Sequence, residues 1–194
     1  MDMNSIEKIK KAKMFGVVGA VMVVVTLGLS FFVTAYYENA SYGILYLVDI
    51  VTSLALTFLY ALFLDGVKEI AKISGNSAFK ENVKLFYWAS LVTGVIAAFL
   101  PPGPVLNPIV GVVFAVVLAV VLGLVSIRIS KGFKEIERYG KYSSRAAKWH
   151  KVTGYLMVTI IFSPIGALTS LIADFYMWKV LSEHLRQVAV KQST

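Results

Sequence analysis

From residue 85 to residue 127 this chain carries no charged side chain, and a second uncharged run covers residues 14–36. Runs of that length decide the fold class. A helix rises 1.5 Å per residue, so about 20 apolar residues cross the ~30 Å hydrocarbon layer of a bilayer. Within that layer backbone N–H and C=O groups must bond to one another, which a helix does inside a single segment. The Val and Ile that fill these runs are weak helix formers in water, but in lipid this constraint overrides propensity.

The reading is therefore an all-α, polytopic transmembrane bundle of about five helices, forming a single membrane domain over residues 1–194. The helices are expected at about 14–36, 44–64, 85–100, 105–127 and 152–173, with a basic loop over 128–151. The whole chain is 58% hydrophobic and 15% charged, with mean hydropathy +0.75. Soluble domains run nearer about half apolar and a quarter charged. No cysteine is present, which removes disulfides and thiolate chemistry. The basic start followed by an apolar stretch resembles a signal peptide, but residues 14–36 are long for one, and an uncleaved first helix is expected.

Charge sets the orientation. The N-terminal tail holds four Lys, the segment 65–84 four more, and the segment 128–151 eight Lys and Arg against two Glu. The intervening connections, 37–43 and the run Pro101-Pro102-Gly103-Pro104, carry no basic residue. Sixteen of nineteen basic residues thus fall on the side of the N-terminus, which the positive-inside rule makes cytoplasmic. Tyr36, Tyr37, Tyr42 and Tyr46 read as an outer aromatic belt, and the sequon Asn39-Ala40-Ser41 falls in an outer loop. The net charge of +8 points to anionic lipid headgroups as partner, with no nucleic acid. The membrane is expected to be the cytoplasmic one.

The last apolar stretch allows two readings. A hairpin turning at Ser163-Pro164-Ile165-Gly166 would give arms of about fifteen residues, short of a span. One helix kinked at Pro164 is preferred. It puts Asp174, Tyr176, Trp178 and the C-terminus outside, and separates His150 from His184 across the membrane.

Several segments carry a family resemblance. Ala12-Lys13-Met14-Phe15-Gly16-Val17-Val18-Gly19-Ala20 shows a Gly-x-x-Gly opening. Val67-Lys68-Glu69-Ile70-Ala71 precedes Ser77-Ala78-Phe79-Lys80-Glu81-Asn82, and residues 133–140, Gly154-Tyr155-Leu156 and Ile165-Gly166-Ala167-Leu168 follow. Together they resemble an archaeal integral membrane family, domain of unknown function 996. The resemblance implies an archaeal membrane location and no activity. The family's C-terminal aromatic-apolar cluster is replaced here by a polar end.

Candidate functional residues are few. Asp49, inside helix 2, and Asp174 read either as ion- or proton-binding groups or as helix caps at the interface. Gly111, Ala115, Ala119 and Gly123 recur every four residues, and Ser163, Gly166, Ser170 and Ala173 form a second small-residue face. Such faces pack helices closely, within one chain or against a partner. Arg128, Lys131, Lys134, Arg138, Lys141, Arg145, Lys148 and Lys151 suit headgroups or a docking partner. Ile129, Phe133 and Ile136 recur at helical spacing among these charges and suggest an amphipathic interfacial helix. Ser74-Gly75-Asn76-Ser77 reads as a turn between two helical extensions. No spacing assembles a catalytic, metal or cofactor site, so no reaction and no cofactor is expected. The function expected is that of an accessory or scaffolding subunit, bound to another membrane subunit or to itself. A small-solute or ion transporter or channel is the alternative.

Overall fold

A computed structural model describes residues 3–36, 42–99, 108–137 and 140–193. Six α-helices follow in order: α1 Met3–Tyr36, α2 Tyr42–Ser74, α3 Ser77–Ala98, α4 Pro108–Glu135, α5 Lys141–Val158 and α6 Ser163–Ser193. No strand occurs among the described residues. The 37–41 connection with its sequon, the Pro101–Pro104 turn, and Arg138 lie outside the described residues.

Each helix packs antiparallel on its neighbour in the chain, and α6 closes back on α1 and α2. The glycine contacts give the registers. Gly66 of α2 sits on Ala12 of α1, and Gly16 on Phe63. Gly94 of α3 sits on Thr57 of α2, and Gly132 of α4 on Phe79 of α3. The start of α1, the α2–α3 turn, the α4–α5 connection and the end of α6 therefore share one end of the bundle. It holds the basic residues and is called the basic end below; the other is the apolar end.

The turn at the basic end forms where the sequence spacing puts it. Gly75 adopts φ +66°, a left-handed conformation that closes α2 with no Cβ penalty. The Asn76 side chain then caps α3 by accepting a bond from the Phe79 N–H at 2.8 Å.

The segment 152–173 is not one helix. It divides into the end of α5 and the start of α6, joined by residues 159–162. Ser163 and Pro164 start a helix instead of kinking one. Proline lacks the N–H that a first helical turn leaves unbonded, and its fixed φ suits that position. Thr153 and Thr169 meet across the hairpin at 3.0 Å, and Gly166 packs on Met157. Tyr176, Trp178 and the end of α6 consequently lie at the basic end with the start of α1. The Trp178 indole N–H donates to the Lys13 carbonyl at 3.2 Å.

The hairpin stops part-way along the bundle. Gly123 of α4 faces Gly154, Met157 and Val158 at the close of α5. A span of fifteen residues separates Pro108 from Gly123, about 22 Å of α4 on the apolar side of that contact. At the crossing, a Cβ on Gly154 would stand 2.6 Å from the Gly123 carbonyl oxygen and 2.5 Å from Ile127 Cγ1.

Burial is distributed unevenly. The core collects at the basic end: Ile9 of α1, Leu64 and Val67 of α2, Phe79 and Val83 of α3, Ile129, Phe133 and Ile136 of α4, Ala146 of α5, Met177 and Leu181 of α6. Ile129, Phe133 and Ile136 keep their helical spacing, but they are core: the first two lie in the continuation of α4 and Ile136 just after it, not on a helix lying at an interface. Toward the apolar end large hydrophobics point outward, among them Val21, Val24, Phe58, Val112 and Leu168. Two helical stretches among the described residues, Tyr46–Ser74 and Ile109–Glu135, are long and apolar enough to cross a membrane.

The α4–α5 crossing has no room for a side chain on either glycine. Gly154→Leu is expected to destabilise the fold by about 1–3 kcal/mol through overpacking. A lowered thermal midpoint of the detergent-purified protein would register it.

Candidate functional site

The inner face of α5 presents Ser143, Ala146, His150, Thr153 and Gly154, all buried. His150 is 2% exposed and lies among rings. It stacks on Phe133 with centroids 5.7 Å apart and planes 7° from parallel, and meets Phe86 edge-on at 5.4 Å. Neither ring nitrogen has a hydrogen-bond partner among the described residues. His150 lies on the basic side of the crossing, one residue before exposed Lys151. Burial without a counter-charge pushes its imidazole down to about 3, so it is neutral at ordinary pH. His184 also lies at the basic end, not across the bundle. It lines a cavity of about 40 Å³ with Ser74, Ser143 and Glu183, a space fit for a water rather than an organic ligand. No group of three His, Cys, Asp or Glu among the described residues could hold a metal ion.

The second interior polar contact joins α2 to α6. The Tyr60 hydroxyl donates to Asp174 Oδ1 at 2.8 Å. Asp174 is therefore held inside the bundle about one turn from Trp178, on the basic half, and not at an outer helix end. Asp49 is exposed and stands seven residues after the first residue of α2, Tyr42, so it does not cap that helix. Asp49 and Asp174 are not brought together.

Two hydrogen bonds to carboxylates show how the basic end is tied. Ser5 of α1 donates to buried Glu69 of α2 at 2.6 Å. Glu183 of α6 accepts the Tyr142 N–H at 3.3 Å and lies against Gly140. Gly140 is the N-cap of α5 and offers no side chain. The Glu183 carboxylate takes over that role from the neighbouring helix, where the positive end of the helix dipole favours it. Sequence reading missed this pair, since its partners are 41 residues apart.

The small-residue faces divide. On α4, Gly123 is buried in the α5 crossing, Ala119 and Gly111 are partly buried, and Ala115 is exposed. On α6, Gly166 and Ala173 are buried and Ser163 and Ser170 partly so. The lower part of each face therefore packs within the chain, while Gly111 and Ala115 lie on the stretch of α4 beyond the hairpin tip.

Arg128, Lys131, Lys134, Lys141, Arg145, Lys148 and Lys151 are all exposed. They form outward rows on two adjacent helices, interleaved with aromatic rings. The Arg145 guanidinium stands 5.9 Å from both the Tyr142 and Tyr176 ring centroids, and Lys151 Nζ 5.9 Å from that of Tyr155. The change from charged to apolar surface falls at a matching level round the bundle. Lys13 lies over Trp178, and Lys68 Nζ is 3.9 Å over the Tyr87 ring.

Comparison of the chain with family models, with curated proteins and with solved structures gives no match.

The His150 geometry has a pH consequence. Its folded pKa lies below the 6.5 of a free imidazole, so the unfolded chain binds the extra proton. Stability should rise from pH 3 toward 6.5, by up to about 1.4 kcal/mol per pH unit. His150→Phe should remove that contribution and raise the thermal midpoint at pH 7, because it replaces unpaired nitrogens by a ring of similar shape. Unfolding midpoints measured across that range for both proteins give the comparison.

Proposed function

We propose that the chain is a multi-pass protein of a cytoplasmic membrane, archaeal by the resemblance of its Gly16–Gly19 and 165–168 segments, with its basic end in the cytoplasm. What supports membrane insertion is the arrangement of surface. Among the described residues, large apolar side chains face outward toward the apolar end, while the buried core lies toward the basic end. A water-soluble fold would place them the other way round. With α6 returning, all basic segments lie at one end, as the positive-inside rule requires.

Within that membrane we assign the protein the role of an accessory or scaffolding subunit with no reaction of its own. One observation carries this reading. The α5–α6 hairpin turns at residues 159–162, shortly past its contact with Gly123, and leaves exposed Ala115 and partly buried Gly111 on α4 beyond it. Lipid tails give helices no hydrophobic drive to associate, so close packing on small residues is what holds subunits together. Extraction from native membranes in mild detergent should yield a stoichiometric complex, hetero- or homo-oligomeric. Ala115→Leu should release the protein as a monomer with an unchanged thermal midpoint. A wild-type protein that runs as a lone monomer and cross-links to nothing in its membrane would end this reading.

A second reading, ion- or proton-coupled transport, rests on the Tyr60–Asp174 bond inside the bundle and on a helical hairpin that ends part-way. Intramembrane carboxylates and interrupted helices are the parts such pathways use. Asp174→Asn in reconstituted vesicles should then abolish pH-driven flux. Flux equal to that of the wild type removes Asp174 from the pathway.

A further inference from the structure

The α4–α5 pair has an outward groove whose two walls change character together. On α4, Leu124 is 53% exposed, and Lys131 and Lys134 follow it toward the basic end. On α5, Tyr155 is 53% exposed, and Lys151 and Lys148 follow it in the same spatial direction. The two helices run antiparallel, and Gly154 sits against Ile127. Stepping one helical turn from that contact in opposite chain directions sets Lys131 level with Lys151, and a further turn sets Lys134 near Lys148. On a helical wheel these four residues lie on the outward side of the contact face, two on each wall. None has a carboxylate within 4.0 Å among the described residues. Glu135 and Glu137 are the acids nearby in sequence, so the region keeps a positive excess.

We propose that this groove binds one anionic phospholipid, its phosphate held by Lys131, Lys134, Lys148 and Lys151 and its acyl chains lying over Leu124 and Tyr155. The inference rests on the membrane reading above and names a partner for its basic face. Charge complementarity alone would suit any acidic partner. The continuity of the lysine cluster with an exposed apolar surface on the same two walls fits a molecule that is anionic at one end and hydrocarbon at the other. An acidic protein would meet the lysines and leave Leu124 and Tyr155 bare. Lys151 is already drawn toward that junction, since its Nζ stands over the Tyr155 ring. Lysine suits the task as a flexible point charge that adapts to a mobile headgroup.

The test is native mass spectrometry of the detergent-purified protein after exchange into micelles doped with phosphatidylglycerol or with phosphatidylcholine. One phosphatidylglycerol per chain should survive activation that strips phosphatidylcholine. The quadruple variant Lys131→Ala, Lys134→Ala, Lys148→Ala, Lys151→Ala should lower its retention at least about tenfold, given the contribution of each basic residue at an anionic surface. Arg at the same four positions should keep it. A control with Lys8, Lys10 and Lys11 changed to Ala should retain the lipid as the wild type does. Equal retention of both lipids, undiminished retention by the quadruple variant, or an equal loss in the control overturns the proposal. So does an acidic protein that leaves the native extract with the four lysines while lipid retention stays constant. The membrane reading is checked separately: release of the protein from native membranes by alkaline carbonate would overturn it, whereas membrane-retained protein without a specific lipid overturns this site alone.

Discussion

Where α4 crosses α5, a Cβ on Gly123 would lie 2.9 Å from the Gly154 carbonyl oxygen, and one on Gly154 2.6 Å from that of Gly123. Two backbones approach that closely only when neither carries a side chain at the contact. The crossing sets the height of everything attached to α5. It brings His150 against Phe133, sets the lysines of the two helices level, and ends the hairpin well short of the start of α4. α6 inherits its own height from α5 through Thr153, Thr169 and the Glu183 cap. Asp174 meets Tyr60, and Trp178 meets Lys13, because that height is fixed.

The uncharged runs 14–36 and 85–127 and the turn at Gly75 were legible because each depends on local properties: length, hydropathy and the few residues that tolerate a left-handed backbone. The spacing of Ile129, Phe133 and Ile136 was legible as a helical face too. What it faces was not, since an amphipathic stripe looks the same whether it meets lipid headgroups or other helices. Its partners Phe79 and His150 come from distant parts of the chain.

The α5–α6 hairpin was misread because arm length was weighed against the thickness of a whole bilayer. An arm that does not cross is exempt from that test. Two signals pointed to it. Ser163-Pro164 is a helix start as readily as a kink. Lys179, Arg186 and Lys191 were the three basic residues that a single helix stranded on the wrong side. Tyr60 with Asp174 and Tyr142 with Glu183 left no local trace, because side-chain pairing across 114 and 41 residues follows from topology alone.

The half-height hairpin also shows what positions the end of the molecule. At 18 residues with a basic, polar first half, α5 lacks the continuous apolar length that lets a segment partition into lipid by itself. Its place depends on the surface of α4 at Gly123. α5 and α6 are positioned by their contacts with each other and with α4, so the last part of the chain takes its place from tertiary contact instead of from hydropathy. The tip residue Ile160 adopts φ +56°, a left-handed conformation uncommon for a β-branched side chain.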